Sequence, residues 1–511
     1  MAEEKKSRLY ALKPIIERWP AITKPEGHVT FRTKILWTLF CLVLYFILTN
    51  VMIYGLQSDV IDLFENYRFI MAGASGSIMH LGIGPIVTAS IILQLFVGAK
   101  IINLDLQKKE DKAIYQGTQK VLVIVMIVVE AVPQIFGYLS PSLEFKAMVG
   151  GEWAAFIIVI QIIIGALLVF FMDELISKWG IGSGISLFIA AGVSQAIFTG
   201  LFNWLPVTSG EILSTANPPA GVIPGTLYLG TQYNLGQLTT GGYQQLFLGG
   251  GNYVNAIVPL IGTVIVFLIV VYAESSRIEL PLAHGKVRGA RGRYPIRLIY
   301  ASNIPVILMS ALLANVNMFA MLLWQSKIPV LGGQAWIGKY NFASGSTQAI
   351  GGGAWYLSSP GGVNQWLIPI MSGGDAYGHS SIQIALKVII YLSVLIIGSI
   401  LFAKFWIETT NMGPADVARQ IQSSGMQIPG FRRDPRVLRK VLERYIPVVT
   451  VIGGFAVGAL AGFADLIGTV GNASGTGLLL TVGILIRLYE DIAKEQAMEM
   501  HPVLRGFFGN E

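Results

Sequence analysis

The chain has 511 residues, with 36 Lys plus Arg against 29 Asp plus Glu, so only 13% of positions are charged while 53% are hydrophobic. Soluble domains average about 25% charged, and a mean hydropathy of +0.62 sustained over this length puts most of the chain in lipid. A soluble enzyme, a disordered protein and a disulfide scaffold are therefore excluded. The single cysteine, Cys41, lies in an apolar run without a partner, and His28, His80, His284, His379 and His501 are far apart. No local spacing suggests a metal site, and no cofactor is implied.

Residues 1–34 are charged and precede a first apolar run at about 35–55, long enough to cross a bilayer and lacking a cleavage site, so no cleaved signal peptide is expected. Residues 83–98, IGPIVTASIILQLFVG, are apolar but short, and follow the Gly/Ser-rich stretch AGASGSIMHLG, which cannot hold a lipid-facing helix. Irregular backbone survives at membrane depth only where protein or water shields it, so this segment reads as a half-helix lining an internal cavity. Further spans are expected at about 119–139, 153–172, 181–200, 254–273, 303–324, 382–403, 446–464 and 470–488, giving ten in all.

Orientation follows from the basic residues. With the N-terminus inside, 31 of the 36 Lys and Arg fall on inside segments, four fall outside (Arg68, Lys146, Lys327, Lys339), and Lys387 is left within a span. Both termini are expected in the cytoplasm. The expected organisation is a segment 1–34, a first five-helix half 35–200, an external Gly-rich loop 201–253, a second half 254–488 and a tail 489–511. The second half contains basic cytoplasmic loops 274–300 and 403–446 and a Gly-rich external loop 325–381. The aromatics of the two external loops argue for packed structure. Five spans on each side of 201–253 invert the second half, which allows an inverted repeat with a path between the halves.

GQAWIGK (333–339) resembles a phosphate-binding loop, but Tyr340 replaces the required Ser or Thr and the stretch lies outside. HGKVRGARGRYP (284–295) reads either as an ordinary positive-inside loop or as a surface for phosphate, on lipid head groups or RNA. A second basic cluster, PGFRRDPRVLRKVLER (429–444), favours a docked anionic partner. Glu130 lies deep in a span, where a charge costs about 2.5–3.5 kcal/mol on insertion scales, so it faces protein or water. A structural hydrogen bond and a gating role remain open for it. The small-residue stretch GNASGTGLLLTVG opening the last span permits close helix packing or a cavity wall.

The stretch LGIGPIVTASIILQLFVGA (81–99) resembles the second span of the SecY family, the central subunits of the Sec protein-conducting channel. ISKWGIGSGISLFIAAGVSQ (176–195) resembles the family's fifth span, and ESSRIELPLAHGKVRGARGRYPIRLIYASNIPVILMSALLAN (274–315) the archaeal form of its loop and seventh span. KPEGHVTFRTKILWT, SGMQIPGFRRDPR and GTGLLLTVGILIRLYE fit in the right order. The two long external loops look unlike the family, leaving about four fifths of the chain covered.

The resemblance implies an all-α integral membrane protein of ten transmembrane helices in two inverted five-helix halves, with a re-entrant half-helix and plug. It implies a protein-conducting channel, not an enzyme, that passes unfolded secretory chains across the membrane and releases transmembrane segments sideways into lipid. The family's apolar pore ring falls on Ile83, Val87, Ile185, Ile189, Ile307 and Leu480. The pairs at i, i+4 share a helix face, and such a ring yields to a passing chain yet stays dewetted when empty. Its plug falls on DLFENYRFIM and AGASGSI, hence Glu65, Tyr67, Arg68, Phe69, Ala74, Gly76 and Ser77, though AGASGSI lacks the basic residue expected of archaeal relatives. Its lateral gate falls on Thr88, Glu130 and Asn315, which turns Glu130 toward gating. Its ribosome-docking loops place Arg432 with Arg288, Arg291 and Arg293. Implied partners are a SecE-type subunit, a small beta-type subunit, the ribosome through its RNA phosphates, signal sequences and nascent chains, and membrane lipid, at an archaeal plasma membrane. The rival class is a secondary transporter built from inverted repeats, which would place polar groups at midplane, where the family positions here are Ile, Val and Leu.

Overall fold

The computed structural model describes residues 8–500 except 19–20, 28, 58–71, 99–100, 103, 105–107, 138, 209–211, 235, 237–240, 250–255, 285–290, 298, 300, 302, 326–331, 342–348, 376, 411, 424–425, 428–434 and 473. Apolar runs near 20 residues satisfy their backbone internally only as helices, and the chain builds its core from them. The helices are α1 (Lys13–Arg18), α2 (Phe31–Asn50), α3 (Gly84–Gly98), α4 (Lys109–Gly137), α5 (Leu143–Val149), α6 (Gly151–Trp179), α7 (Gly184–Phe202), α8 (Val222–Gln232) and α9 (Tyr243–Leu248). They continue with α10 (Ile257–Ser275), α11 (Ile304–Gln325), α12 (Gly353–Leu357), α13 (Val363–Ser372), α14 (Ser381–Thr409), α15 (Pro414–Ser423), α16 (Pro435–Ile467) and α17 (Gly475–Met500). Eight of these, α2, α4, α6, α7, α10, α11, α14 and α16, are long and apolar enough to cross a membrane. The half-helix expected at 83–98 is α3, too short to cross alone, and the run expected at 470–488 lies within α17.

Several helices outrun the apolar windows that mark them. α16 begins at Pro435, inside the stretch expected to be a basic loop up to 446, because Leu438, Leu442 and Ile446 recur every four residues. That stripe packs on Val417, Ala418 and Ile421 of α15 in a small core of its own. A hydropathy window registers contact with lipid, and this turn contacts protein instead.

Strands are confined to the loops. β1 (Arg277–His284) and β2 (Arg291–Arg297) form an antiparallel hairpin, and β5 (Met426–Gln427) adds to β1 through Ala283↔Gln427 and His284↔Met426. The basic loops 274–300 and 403–446 are thus joined in one sheet of order β2-β1-β5 at one end of the bundle, hereafter the basic end.

The Gly-rich loops lie at the other end and are built, as their aromatics suggest. β3 (Lys339–Tyr340) pairs with β4 (Ala349–Gly351), and Tyr340, Trp355 and Ile384 form a core with Trp324 and Trp366 over the ends of α11 and α14. Asp465, buried at the end of α16, accepts from the Tyr391 hydroxyl (2.7 Å), the Thr476 hydroxyl (2.7 Å) and the Thr476 N–H (3.1 Å). A carboxylate on the first turn of α17 caps its unpaired N–H groups and ties α14, α16 and α17 together. Trp366 Nε1 donates to the Leu466 carbonyl at 2.9 Å, docking the 325–381 loop on the same junction.

Lys387, the basic residue left within a span, lies two turns into α14, its ammonium 4.8 Å from the Trp355 ring centre. The other neighbour of Trp355 is His379, stacked at 4.1 Å and paired with Asp375 at 2.7 Å. Burial works against the Asp375 charge, but hydrogen bonds from His379 hold that carboxyl below the usual range. A lysine near a helix end therefore reaches an aromatic face rather than lipid.

Candidate functional site

α3 occupies the centre. It packs against α4 on one side and against α11 and α14 on the other, with Ile86, Val87, Ala89, Ile91 and Leu93 buried. Its entry is a chain of tight turns, with positive φ at Ala72 (46°), Gly76 (70°) and Gly82 (53°). The turns are held on α2's end by Ile53 N–H donating to the Gly76 carbonyl (2.9 Å) and Ile78 N–H to the Val51 carbonyl (2.8 Å).

The six residues expected to form an apolar ring come together in one hydrophobic cluster: Ile83, Val87, Ile189, Ile307 and Leu480 buried, Ile185 half-buried against them. The cluster is larger than these six. A cavity of about 430 Å³ reaches Ile307 from between α7 and α17, lined also by Ser183, Ser186, Asn303, Arg487 and Asp491. Water-accessible volume therefore ends on an apolar floor.

The three polar positions expected together do converge. Asn315 Nδ2 on α11 donates to Thr88 Oγ1 on α3 at 3.1 Å and to its own helix at the Ala311 carbonyl (3.0 Å). Thr88 donates in turn to the Gly84 carbonyl at 2.9 Å. The carboxyl of Glu130 on α4, 3% exposed, sits against the Thr88 hydroxyl. Ser90 accepts from Gln119 Nε2 at 2.7 Å, a second polar tie between α3 and α4. Four buried oxygens of α3 and α4 have no partner among the described residues: Gln94 Oε1, Thr118 Oγ1, Glu130 Oε1 and Gln134 Oε1. An unmet buried polar group costs about 1–3 kcal/mol, and this seam holds four of them on two neighbouring helices.

Of the expected plug, Glu65, Tyr67, Arg68 and Phe69 lie outside the described residues, while Ala74, Gly76 and Ser77 belong to the turns entering α3. Ser77 is fully buried and its hydroxyl donates to the Ala74 carbonyl at 2.8 Å. Sequence reasoning missed His80, whose Nδ1 accepts from the Gly76 N–H at 3.0 Å. Its signal was the Gly four residues earlier, a position that only pairs once the backbone turns left-handed. Gly165 on α6 was missed as well, and a Cβ there would lie 1.9 Å from the Ile78 carbonyl oxygen.

Of the expected docking arginines, Arg288 and Arg432 lie outside the described residues, and Arg291 and Arg293 occupy alternate positions of β2, opposite Ala283 and Pro281. The basic end also carries an ion cluster the sequence did not announce: Glu174 between Lys120 and Lys178, the last at 2.7 Å, with Ile22 N–H donating to the same carboxylate at 3.4 Å. Lysines 54 and 4 residues away in sequence converge on it only in the fold. Among the described residues no group of three or more His, Cys, Asp or Glu is placed to hold a metal.

Residues 77–489 match the family model described as SecY, and 43–76 match one described as the plug domain of Sec61p. The chain is 48% identical to the protein translocase subunit SecY of Archaeoglobus fulgidus over 512 aligned residues, covering 99% of each chain. A solved structure described as a protein conducting channel is similar with a TM-score of 0.75 at 40% identity, covering 96% of this chain and 98% of that one. Sec61 from a canine ribosome-channel complex of the endoplasmic reticulum is similar with a TM-score of 0.72 at 38% identity, with the same coverage.

Gly165→Ala should force the Ile78 carbonyl, and with it the turns entering α3, away from α6. Overpacking of this kind costs about 1–3 kcal/mol, so the purified protein should unfold at a lower temperature than the parent. An unchanged transition would show that the turns are not held against α6.

Proposed function

From the premise that this chain belongs to the SecY family and is a protein-conducting channel, we propose how its residues close, open and dock that channel. The observation that carries the reading is the meeting of Asn315, Thr88 and Glu130 between α11, α3 and α4.

The pore is sealed by Ile83, Val87, Ile185, Ile189, Ile307 and Leu480. Apolar walls at a narrow point exclude water and therefore ions, while flexible aliphatic side chains part around an extended polypeptide. The stretches DLFENYRFIM and AGASGSI, residues 62–78, form the plug, whose last turns are held by Ser77 and His80. The lateral gate opens between α3 with α4 on one side and α11 with α14 on the other. In the closed state its hydrogen bonds satisfy groups that would otherwise face hydrocarbon. A signal sequence or transmembrane segment entering the seam gains lipid contact and replaces the α3–α11 packing, while Glu130 and the unpaired oxygens beside it gain water. Interhelical hydrogen bonds in membranes are worth about 0.6 kcal/mol on average, so the closed seam holds at rest and yields to a segment apolar enough to partition into lipid.

Both termini and the basic end face the cytoplasm, since 31 of 36 Lys and Arg count to that side. Arg288, Arg291, Arg293 and Arg432 there contact ribosomal RNA phosphates, which guanidinium groups match in geometry. A SecE-type subunit and a small beta-type subunit complete the channel at an archaeal plasma membrane, and both should stay with the chain on affinity isolation.

Ile307→Asn puts an amide into the apolar constriction at the floor of the cavity, so it should wet the pore, raise ion conductance and admit weaker signal sequences. Wild-type conductance together with wild-type signal selectivity would remove Ile307 from the seal. Arg432→Glu should weaken ribosome binding and flatten its salt dependence by about 0.7–0.9 in slope per lost phosphate contact. A salt series on the solubilised variant with unchanged affinity and slope would remove Arg432 from the docking surface.

A further inference from the structure

Of the 53 residues in the loop from 201 to 253 only Glu211 is charged. Two of its polar side chains are tied within the loop: Asn217, 5% exposed, accepts from Thr208 N–H at 2.8 Å, and half-buried Gln245 meets the Tyr233 hydroxyl at 2.5 Å and donates to the Thr215 carbonyl at 3.0 Å. Several of its apolar side chains nevertheless turn outward. α8 contacts α7, buries Val222, Pro224, Gly225 and Leu229, the last in a small core with Val207, Leu246 and Ala256, and leaves Ile223 and Leu227 exposed four residues apart. Tyr243 and Phe247 of α9 repeat the pattern as a stacked exposed pair, centroids 6.5 Å apart. Trp204 and Leu205, each about two thirds exposed, begin the loop. In water this arrangement reverses the usual partition of polar and apolar groups.

We propose that this loop lies in the membrane interface, its apolar face seated among lipid headgroups and upper acyl chains beside α7 and α10. Two observations select lipid as the occupant. The loop joins two spans that expose apolar side chains of their own, Phe198 and Phe202 on α7 and Ile261 and Ile265 on α10, as spans in contact with lipid do. The loop also carries no Lys, Arg or Asp to pair with a soluble protein, while Trp, Tyr and Phe are the side chains that settle at the headgroup level. Depth follows from the backbone. The described residues between 203 and 221 contain no helix, and such backbone is excluded from hydrocarbon but tolerated where headgroup water reaches it. The loop is thus a collar at the Gly-rich end that fixes α7 and α10 at a set height in the bilayer.

The test uses the full chain with its co-purifying subunits in lipid nanodiscs. An environment-sensitive fluorophore is attached at Leu227→Cys or Phe247→Cys. Fully buried Cys41 stays unlabelled, and Glu17→Cys and Phe40→Cys serve as water-facing and lipid-facing references. Headgroup nitroxide lipids should remove more than half of the emission at both loop sites, and iodide should quench them several-fold less than at Glu17→Cys. Two results overturn the proposal. Strong iodide quenching without nitroxide quenching means the face is in water, and insensitivity to both means that protein covers it.

Discussion

The hydrogen bond from Asn315 to Thr88 is made where lipid offers neither group another partner, and it decides how the centre of this protein is arranged. A carboxyl at that depth has the same problem on a larger scale, costing about 2.5–3.5 kcal/mol unless protein or water receives it. Three helices solve both problems by meeting at one point. α3 is the pivot because its second turn supplies the Thr88 hydroxyl, which accepts from α11 and sits against Glu130 of α4. Its shortness is part of the solution, since a half-helix entered through buried turns can sit at the centre without reaching both membrane faces.

Around that pivot the satisfaction of polar groups is uneven. The Gly-rich end is well tied: Asp465 has three partners on two helices, Trp366 reaches Leu466, and Lys387 is held against Trp355. The basic end has Glu174 between two lysines and the backbone N–H of Ile22 in the N-terminal segment. Between the ends lie buried oxygens of Gln94, Thr118, Glu130 and Gln134 with no partner among the described residues. Opening that seam to water would satisfy these groups, so part of the cost of parting the helices is returned, which is what a gate requires.

Much of this was legible in the sequence, for physical reasons that differ by feature. The spans are visible because lipid demands about 20 apolar residues, and α3 because a short apolar run after AGASGSIMHLG admits few alternatives. Glu130 was visible as an expense. Thr88 and Asn315 were not, since a threonine and an asparagine in a span are unremarkable until a partner is known, and they entered through family resemblance alone. The extension of α16 to Pro435 was hidden because its apolar stripe is diluted by arginines that face away from α15. Gly165 and the Lys120–Glu174 pair were illegible because each acquires its meaning from a residue far off in sequence, and His80 because its bond to Gly76, only four residues away, needs a turn that the sequence does not announce. The outward apolar face of 201–253 was hidden by composition, since the same aromatics serve a packed core or a lipid surface until their directions are known.

The central claim is that the α3–α11 contact must part for the channel to work. A Thr88→Cys/Asn315→Cys double variant places thiols at the positions now bridged by the 3.1 Å hydrogen bond, with Cys41 buried out of reach. Oxidation to the disulfide should abolish both translocation of a secretory chain and lateral release of a transmembrane segment in a reconstituted assay, and reduction should restore them. Full activity in material shown to be completely cross-linked would contradict the account.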